Sequence, residues 1–143
     1  MSQEFLNAWH STIEKKDLKL MDPWVTDEVT LISPALFKPK VGRQEVTAVL
    51  KDVLASLENY TISKTWIDGN EILIEFDANV GNRKLQGIDK ITLNADGKMT
   101  QLKVFIRPYH GLEALINSVV KMQIGRIPGV RGALAKLSYW IRS

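Results

Sequence analysis

The sequence predicts an α+β domain in which helices come first and a curved antiparallel sheet follows. Three observations support this fold class. Apolar residues recur at helical spacing in the first 57 residues, every second residue is apolar in later stretches, and turn-forming residues separate those stretches. The chain has 143 residues, 45% of them hydrophobic, which suits one globular domain. We therefore expect one core, with helices covering one face of one sheet.

The helices are predicted from apolar stripes at spacings of three and four. The predicted helices span about residues 3–16, 17–21, 43–57 and 111–123. Asp17 is expected to cap the short second helix, and Pro23 to end or bend it, because proline donates no backbone hydrogen bond. Residues 36–42 are expected to form a loop.

The strands are predicted from period-two patterns. Val29 and Leu31 indicate a short strand that Pro34 closes. Four further strands run from Tyr60 to Ile106, with turns at residues 68–70, 81–82 and 94–97. Consecutive strands joined by such turns form an antiparallel meander.

Composition excludes several kinds of site. The chain has no cysteine and two histidines, His10 and His110, so thiol catalysis and a zinc site of thiolates and imidazoles are ruled out. We expect no metal and no cofactor. Residues 1–10 lack a basic segment followed by an apolar one, and no apolar run reaches the roughly 18–20 residues of a membrane span. A cytoplasmic protein is the expectation.

The net charge of +3 is unevenly distributed. Residues 110–143 carry five basic residues and one glutamate, whereas residues 1–109 are close to neutral. Because the body has no basic stripe and no recognised motif, nucleic acid is not an expected partner.

Asp89 breaks the pattern of its strand. Leu85, Gly87, Ile91 and Leu93 share its parity, so this parity places a carboxylate within an apolar layer. Such a group has to be paired, hydrogen-bonded or protonated, since burial of an unpaired charge is costly. Asp89 then either faces a cavity with a raised pKa or is bonded to a neighbour. The opposite parity, with Ile88 inward, would place it in solvent.

The order of the predicted elements resembles that of the nuclear transport factor 2-like superfamily. Two motifs support the resemblance: Gly42-Arg43 at the start of a helix, and a meander that contains Gly87-Ile88-Asp89 and residues 94–98 (Asn-Ala-Asp-Gly-Lys). Within it the chain is most similar to the SnoaL-like and ketosteroid isomerase-like members. The resemblance implies a cone-shaped curved sheet wrapped around the N-terminal helices, with an apolar pocket at its open end. It also implies a homodimer formed through the outer face of the sheet.

The isomerase pattern maps onto this chain only in part. The acid that stabilises the enolate falls on Asp89, and the tyrosine that completes the oxyanion hole falls on Trp9, whose indole donates one hydrogen bond. The aspartate general base falls on Ser33, which has no usable basicity near neutral pH. The pattern therefore argues against ketosteroid isomerase activity.

Two functions are left open by the sequence. The first is binding of a small apolar or amphipathic molecule without cofactor. The second is a cofactor-independent isomerase, cyclase or hydrolase that uses Asp89 as acid or base. Besides Asp89, the candidate ligand-binding residues are Trp9, Trp24, Ser33, Phe37, Trp66, Phe76 and His110. For Trp66, a position on a dimer face is the alternative.

The C-terminal segment is predicted to be separate from the family-like domain. The domain is expected to cover residues 1–123, and residues 124–143 form a basic, aromatic-containing extension. Three roles remain open for it: a lid over the open end of the cone, a dimer contact, or a contact with an anionic membrane surface. Packing on its own protein is the favoured role.

Overall fold

The computed structural model describes residues 2–127. The helices are α1 (Ser2–Lys15), a 3₁₀ helix (Leu18–Trp24), α2 (Arg43–Ser56) and α3 (Tyr109–Gly125). The strands are β1 (Val25–Ile32), β2 (Lys40–Val41), β3 (Glu58–Asp68), β4 (Glu71–Val80), β5 (Arg83–Leu93) and β6 (Met99–Arg107). Residues 128–143, which include most of the predicted extension, lie outside the described residues.

Six strands form one curved sheet in the order β2-β1-β6-β5-β4-β3. Strands β3 to β6 make the predicted antiparallel meander. The sheet is mixed, however, because β1 runs parallel to β6. A local apolar period gives the side chains that share a face but not the direction of the next strand, so the sequence could not show this pairing.

The helices begin and end close to the predicted positions. The Asp17 side chain caps the second helix by accepting a hydrogen bond from Lys19 N at 3.2 Å. Pro23 lies inside that helix instead of ending it. The expected loop before α2 contains the short strand β2, which pairs with β1. No helix within residues 2–127 is long and apolar enough to cross a membrane.

The inner face of the sheet carries the core. Phe5, Leu6 and Trp9 of α1 pack there against the central strands. Gly87 is required at its position, because a Cβ there would lie 2.3 Å from Phe76 Cζ. The Phe76 ring thus sits directly over the β5 backbone.

Helix α3 closes one end of this inner face. Leu115 and Val119 are buried against a second apolar cluster that includes Leu85 and Phe76. Two polar contacts also join α3 to α2. Arg126 donates two hydrogen bonds to the buried carboxylate of Asp52, and Ser118 Oγ donates to Ser56 Oγ at 2.7 Å. These contacts fix the position of α3 beside α2.

Candidate functional site

Asp89 lies on the inner face of β5. It pairs in register with Ile74 of β4 and Val104 of β6, and only 6% of its surface is exposed. The buried residues of β5 follow the parity of Leu85 and Ile91, as the apolar pattern predicts. Of the two parities considered, the structure therefore has the one that buries Asp89.

Asp89 faces an apolar cavity of about 80 Å³. Helix α1, the 3₁₀ helix and α2 form its walls, and residues of β1, β3, β4, β5 and β6 contribute to the lining on the sheet side. Most lining side chains are aliphatic, among them Ile13, Met21 and Leu54. Asp22 is an exposed lining residue, so this side of the cavity borders the surface. The few polar groups inside are consequently the ones that would orient a ligand.

Tyr60 of β3 places a hydroxyl group beside Asp89. Its Oη lies 3.5 Å from Asp89 Oδ2, which is long for an O–H···O hydrogen bond. The ring of Tyr60 stacks on Phe76 with centroids 4.6 Å apart, and this contact holds the phenol over the inner face. The hydroxyl and the carboxyl thus lie side by side without a tight bond between them.

Burial controls the protonation of this pair. Loss of water around Asp89 raises the pKa of its carboxyl from 3.8 to about 7, and the hydrogen bond from Tyr60 opposes the rise. Burial and the Asp89 charge raise the pKa of Tyr60, while the nearby Trp9 N–H acts in the opposite direction. At neutral pH the phenol is therefore protonated, and the carboxyl exchanges its proton near that pH.

Trp9 adds a buried donor to the same cavity. Its Nε1–H makes no hydrogen bond of normal geometry within residues 2–127, although it lies close enough to the Tyr60 hydroxyl to lower the pKa of that phenol. A buried donor without a partner costs roughly 1–3 kcal/mol, so it calls for an explanation. An acceptor atom on a bound molecule would satisfy it.

Three of the predicted site residues meet at this cavity, namely Asp89, Trp9 and Phe76. Ser33 lies elsewhere and lines a second cavity. Its Oγ accepts hydrogen bonds from Ala35 N at 3.0 Å and Leu36 N at 3.2 Å, so the hydroxyl stabilises the turn after β1.

The other four candidates lie away from both cavities. Trp24 is partly buried against the core, Phe37 is fully exposed and His110 is exposed. Trp66 lies on the outer face of the sheet and is 38% exposed. A bulge in β3 places Trp66 on the opposite face from Ile62. Ile62 pairs with Phe76 and Lys64 with Glu75, so two steps along β3 match one step along β4.

Tyr60 is not among the site residues that the sequence predicts. The available signal was its parity, because Tyr60 and Ile62 alternate on the strand predicted to face the core. A second signal was chemical, since a buried tyrosine normally seeks a hydrogen-bond partner. Which partner it meets depends on the packing of β3 beside β4 and β5.

The described residues hold no metal-binding arrangement. Over residues 2–127, no group of three or more His, Asp or Glu side chains could hold a metal ion. The site's chemistry within this part of the chain comes from the carboxyl, the phenol and the indole.

The fold is shared with solved structures. A steroid delta-isomerase from Pseudomonas aeruginosa superposes with a TM-score of 0.81 and 27% identity, covering 99% of this chain and 95% of that one. An uncharacterized bacterial protein with a cystatin-like fold from Silicibacter pomeroyi gives a TM-score of 0.80 and 25% identity, covering 85% and 86%. The chain has the nuclear transport factor 2-like fold, which supports its assignment to that superfamily. The resemblance inferred from the sequence is thus confirmed.

Other nuclear transport factor 2-like structures share the fold at lower identity. One, of unknown function from Cytophaga hutchinsonii, has a TM-score of 0.63 and 14% identity over 76% of this chain and 91% of that one. No protein-family model and no curated protein matches the sequence. The superfamily fold supports a pocket-type small-molecule-binding or isomerase-like protein.

Proposed function

We propose that the protein binds a small lipophilic molecule that carries one oxygen acceptor, such as a ketone, and needs no cofactor to do so. The observation that carries the proposal is the buried Nε1–H of Trp9, which makes no hydrogen bond of normal geometry within residues 2–127 and lies in the apolar cavity that also contains Tyr60 and Asp89. A carbonyl oxygen in that cavity would accept hydrogen bonds from these groups. The aliphatic walls would cover the rest of the molecule.

The three polar groups differ in the pH range over which they donate. Tyr60 and Trp9 keep their protons throughout the neutral range. Asp89 donates only when it is protonated, and its pKa is about 7. We therefore expect the affinity for a neutral ketone to fall as the pH rises through about 7, because a carboxylate repels the carbonyl oxygen.

The same groups supply the polarising half of an isomerase site. In the isomerase pattern a tyrosine on the first helix completes the oxyanion hole, and here Trp9 occupies that position while a phenol comes from Tyr60 on β3. The position of the general base holds Ser33, which lines a different cavity. A steroid-sized ligand usually occupies a pocket of about 300–1,000 Å³. The cavity of about 80 Å³ therefore supports binding of smaller molecules and argues against steroid isomerisation.

An enzymatic function is the second candidate, and the raised pKa of Asp89 favours it. A carboxyl with a pKa of about 7 is suited to acid or base catalysis near neutral pH. As carboxylate, Asp89 would take a proton from the carbon beside a ketone carbonyl. Tyr60 and Trp9 would then donate hydrogen bonds to the enolate oxygen.

Titration with 2-butanone tests the binding proposal. The indole N–H resonance of Trp9, assigned with Trp9→Phe, is followed by two-dimensional NMR at pH 5.5 and pH 8.5. We expect a saturable shift with tighter binding at pH 5.5, and about 3–10-fold weaker binding for Trp9→Phe, followed through other resonances, on loss of one hydrogen bond. Trp24→Phe is the control and should bind normally. No saturable shift, or equal binding by Trp9→Phe and wild type, would refute the proposal.

Proton exchange separates the two functions. In D₂O, an enzyme that forms the enolate exchanges the protons beside the 2-butanone carbonyl for deuterium, and Asp89→Asn abolishes this exchange. Saturable binding without enzyme-dependent exchange supports a binding protein. Exchange that depends on Asp89 supports the enzyme.

We also propose that two copies associate through the outer face of the sheet. Trp66, Leu73, Ile88 and Phe105 share that face, and Trp66 and Phe105 are 38% and 48% exposed. The face also carries the Lys90–Glu71 pair. Because it bears both charge signs around an apolar centre, it suits a two-fold contact in which the same surface meets itself.

A further inference from the structure

A second apolar cavity lies on the same inner face of the sheet. It also has a volume of about 80 Å³. Leu31 of β1 and Val104 and Ile106 of β6 line it on the sheet side, and α3 closes it with residues that include Leu112 and Ile116. Its lining is apolar apart from Ser33, whose oxygen already accepts two backbone hydrogen bonds. This cavity is therefore suited to hydrocarbon.

Two side chains of α2 lie between the cavities. Leu50 and Val53 line both of them. The cavities are also neighbours across the sheet, because Asp89 of the first pairs in register with Val104 of the second. Both α2 side chains are only half-buried. These two side chains form a partition between the first cavity, which contains Asp89, and the second, apolar cavity.

The volumes limit what each cavity holds alone. An apolar cavity of about 150 Å³ accommodates a benzene ring. Each cavity here is about half that size, whereas the two joined would reach it. Because Leu50 is only half-buried, a change of its side-chain rotamer breaks fewer contacts than it would in the core, so a ligand can displace this side chain at modest cost.

We propose that the two cavities are the two ends of one binding chamber and that Leu50 and Val53 set the length of the molecule it accepts. The ligand class is an unbranched or narrow hydrocarbon chain with a carbonyl at one end. The carbonyl oxygen of the ligand contacts Trp9, Tyr60 and Asp89. Its hydrocarbon tail extends past Leu50 into the second cavity beneath α3. This inference rests on the proposed binding function and adds the shape of the ligand.

A series of 2-alkanones from 2-butanone to 2-hexanone, which approaches the joined volume of the two cavities, tests the chamber. Dissociation constants are measured on the full-length protein by the Trp9 indole resonance. Each methylene that moves from water into the chamber should tighten binding by about fourfold. For wild type we expect affinity to rise with each added methylene until the ketone fills the first cavity. The next methylene should add less, because the ketone then has to displace Leu50, and the rise should resume for longer ketones.

Three variants locate the partition. Leu50→Ala should strengthen binding of 2-hexanone about tenfold relative to 2-butanone, because the ligand no longer has to displace the larger side chain. Leu54→Ala is the matched control, since Leu54 is on the same helix but lines only the first cavity. It should change both affinities by the same factor. Ile116→Phe fills the second cavity and should weaken long ketones by about fourfold for each methylene excluded, with 2-butanone unaffected.

The outcomes separate this inference from the proposed function. Normal 2-butanone binding by Ile116→Phe shows that the variant is folded, and Leu112→Phe replaces it if it is not. Saturable 2-butanone binding together with identical chain-length profiles for Leu50→Ala and Leu54→Ala would overturn the chamber and leave the proposed function intact. Failure of every ketone to bind wild type would overturn both.

Discussion

Replacement of Asp89 by asparagine should remove a pH-dependent cost of folding. Burial raises the pKa of this carboxyl from 3.8 to about 7. The difference corresponds to roughly 4 kcal/mol, at about 1.4 kcal/mol for each pH unit. Because the total stability of a domain is only about 5–15 kcal/mol, this cost should be readily measured.

The sign follows from proton binding in the two states. Between about pH 4 and pH 7 the unfolded chain has released the Asp89 proton, while the folded protein still holds it. Protonated Asp89 thus favours folding most at low pH, and that advantage is lost as the pH rises towards 7. Asparagine is neutral throughout and has nearly the same shape. Asp89→Asn should therefore match wild type near pH 4 and exceed its stability by up to roughly 4 kcal/mol at pH 8.

Urea unfolding at pH 4.5, 6, 7 and 8.5 measures this difference. Asp52→Asn is the control, because it makes the same substitution at another buried aspartate. The carboxylate of Asp52 accepts hydrogen bonds from Arg126, so its loss should destabilise the protein at pH 8.5. A constant difference between Asp89→Asn and wild type across the pH range would refute the burial argument for Asp89.

Three further substitutions test individual contacts. Tyr60→Phe should raise the pKa of Asp89, because the hydrogen bond from Tyr60 lowers it. Carboxyl ¹³C NMR measures the change, and an unchanged or lower pKa would contradict a hydrogen bond between Tyr60 and Asp89. Gly87→Ala should cost about 1–3 kcal/mol in urea unfolding, because the new Cβ would lie 2.3 Å from Phe76 Cζ; a neutral effect would count against that close contact. Trp66→Lys should reduce the mass seen by light scattering from two chains to one, and a persistent dimer would exclude the outer face of the sheet.

The positions of the helices and the meander could be predicted because they depend on neighbours in sequence. The stripe of Phe5, Leu6 and Trp9 and the alternation around Asp89 follow from helix and strand periods of 3.6 and 2. The same alternation predicts that Trp66 shares the inward face of Tyr60 and Ile62. A bulge after Ile62 reverses the parity of β3, and its cause lies in pairing with β4, which the local pattern does not record.

The make-up of the candidate site could be predicted only in part. The predicted residues Asp89, Trp9 and Phe76 meet at one cavity. Tyr60 is not predicted by the sequence, although its hydroxyl lies 3.5 Å from the Asp89 carboxyl. The predicted residues Ser33 and His110 lie in the turn after β1 and at the exposed start of α3, away from Asp89.

The sequence by itself determined the α+β class and the meander, because each depends on periodicity over a few residues. The tertiary structure decided which of the two parities Asp89 adopts, that β1 joins β6 in parallel, that Tyr60 meets Asp89, and that Leu50 stands between two cavities. Those contacts join segments far apart in the chain. They form only when strand register, a bulge and helix packing are satisfied together, so no local stretch of sequence encodes them.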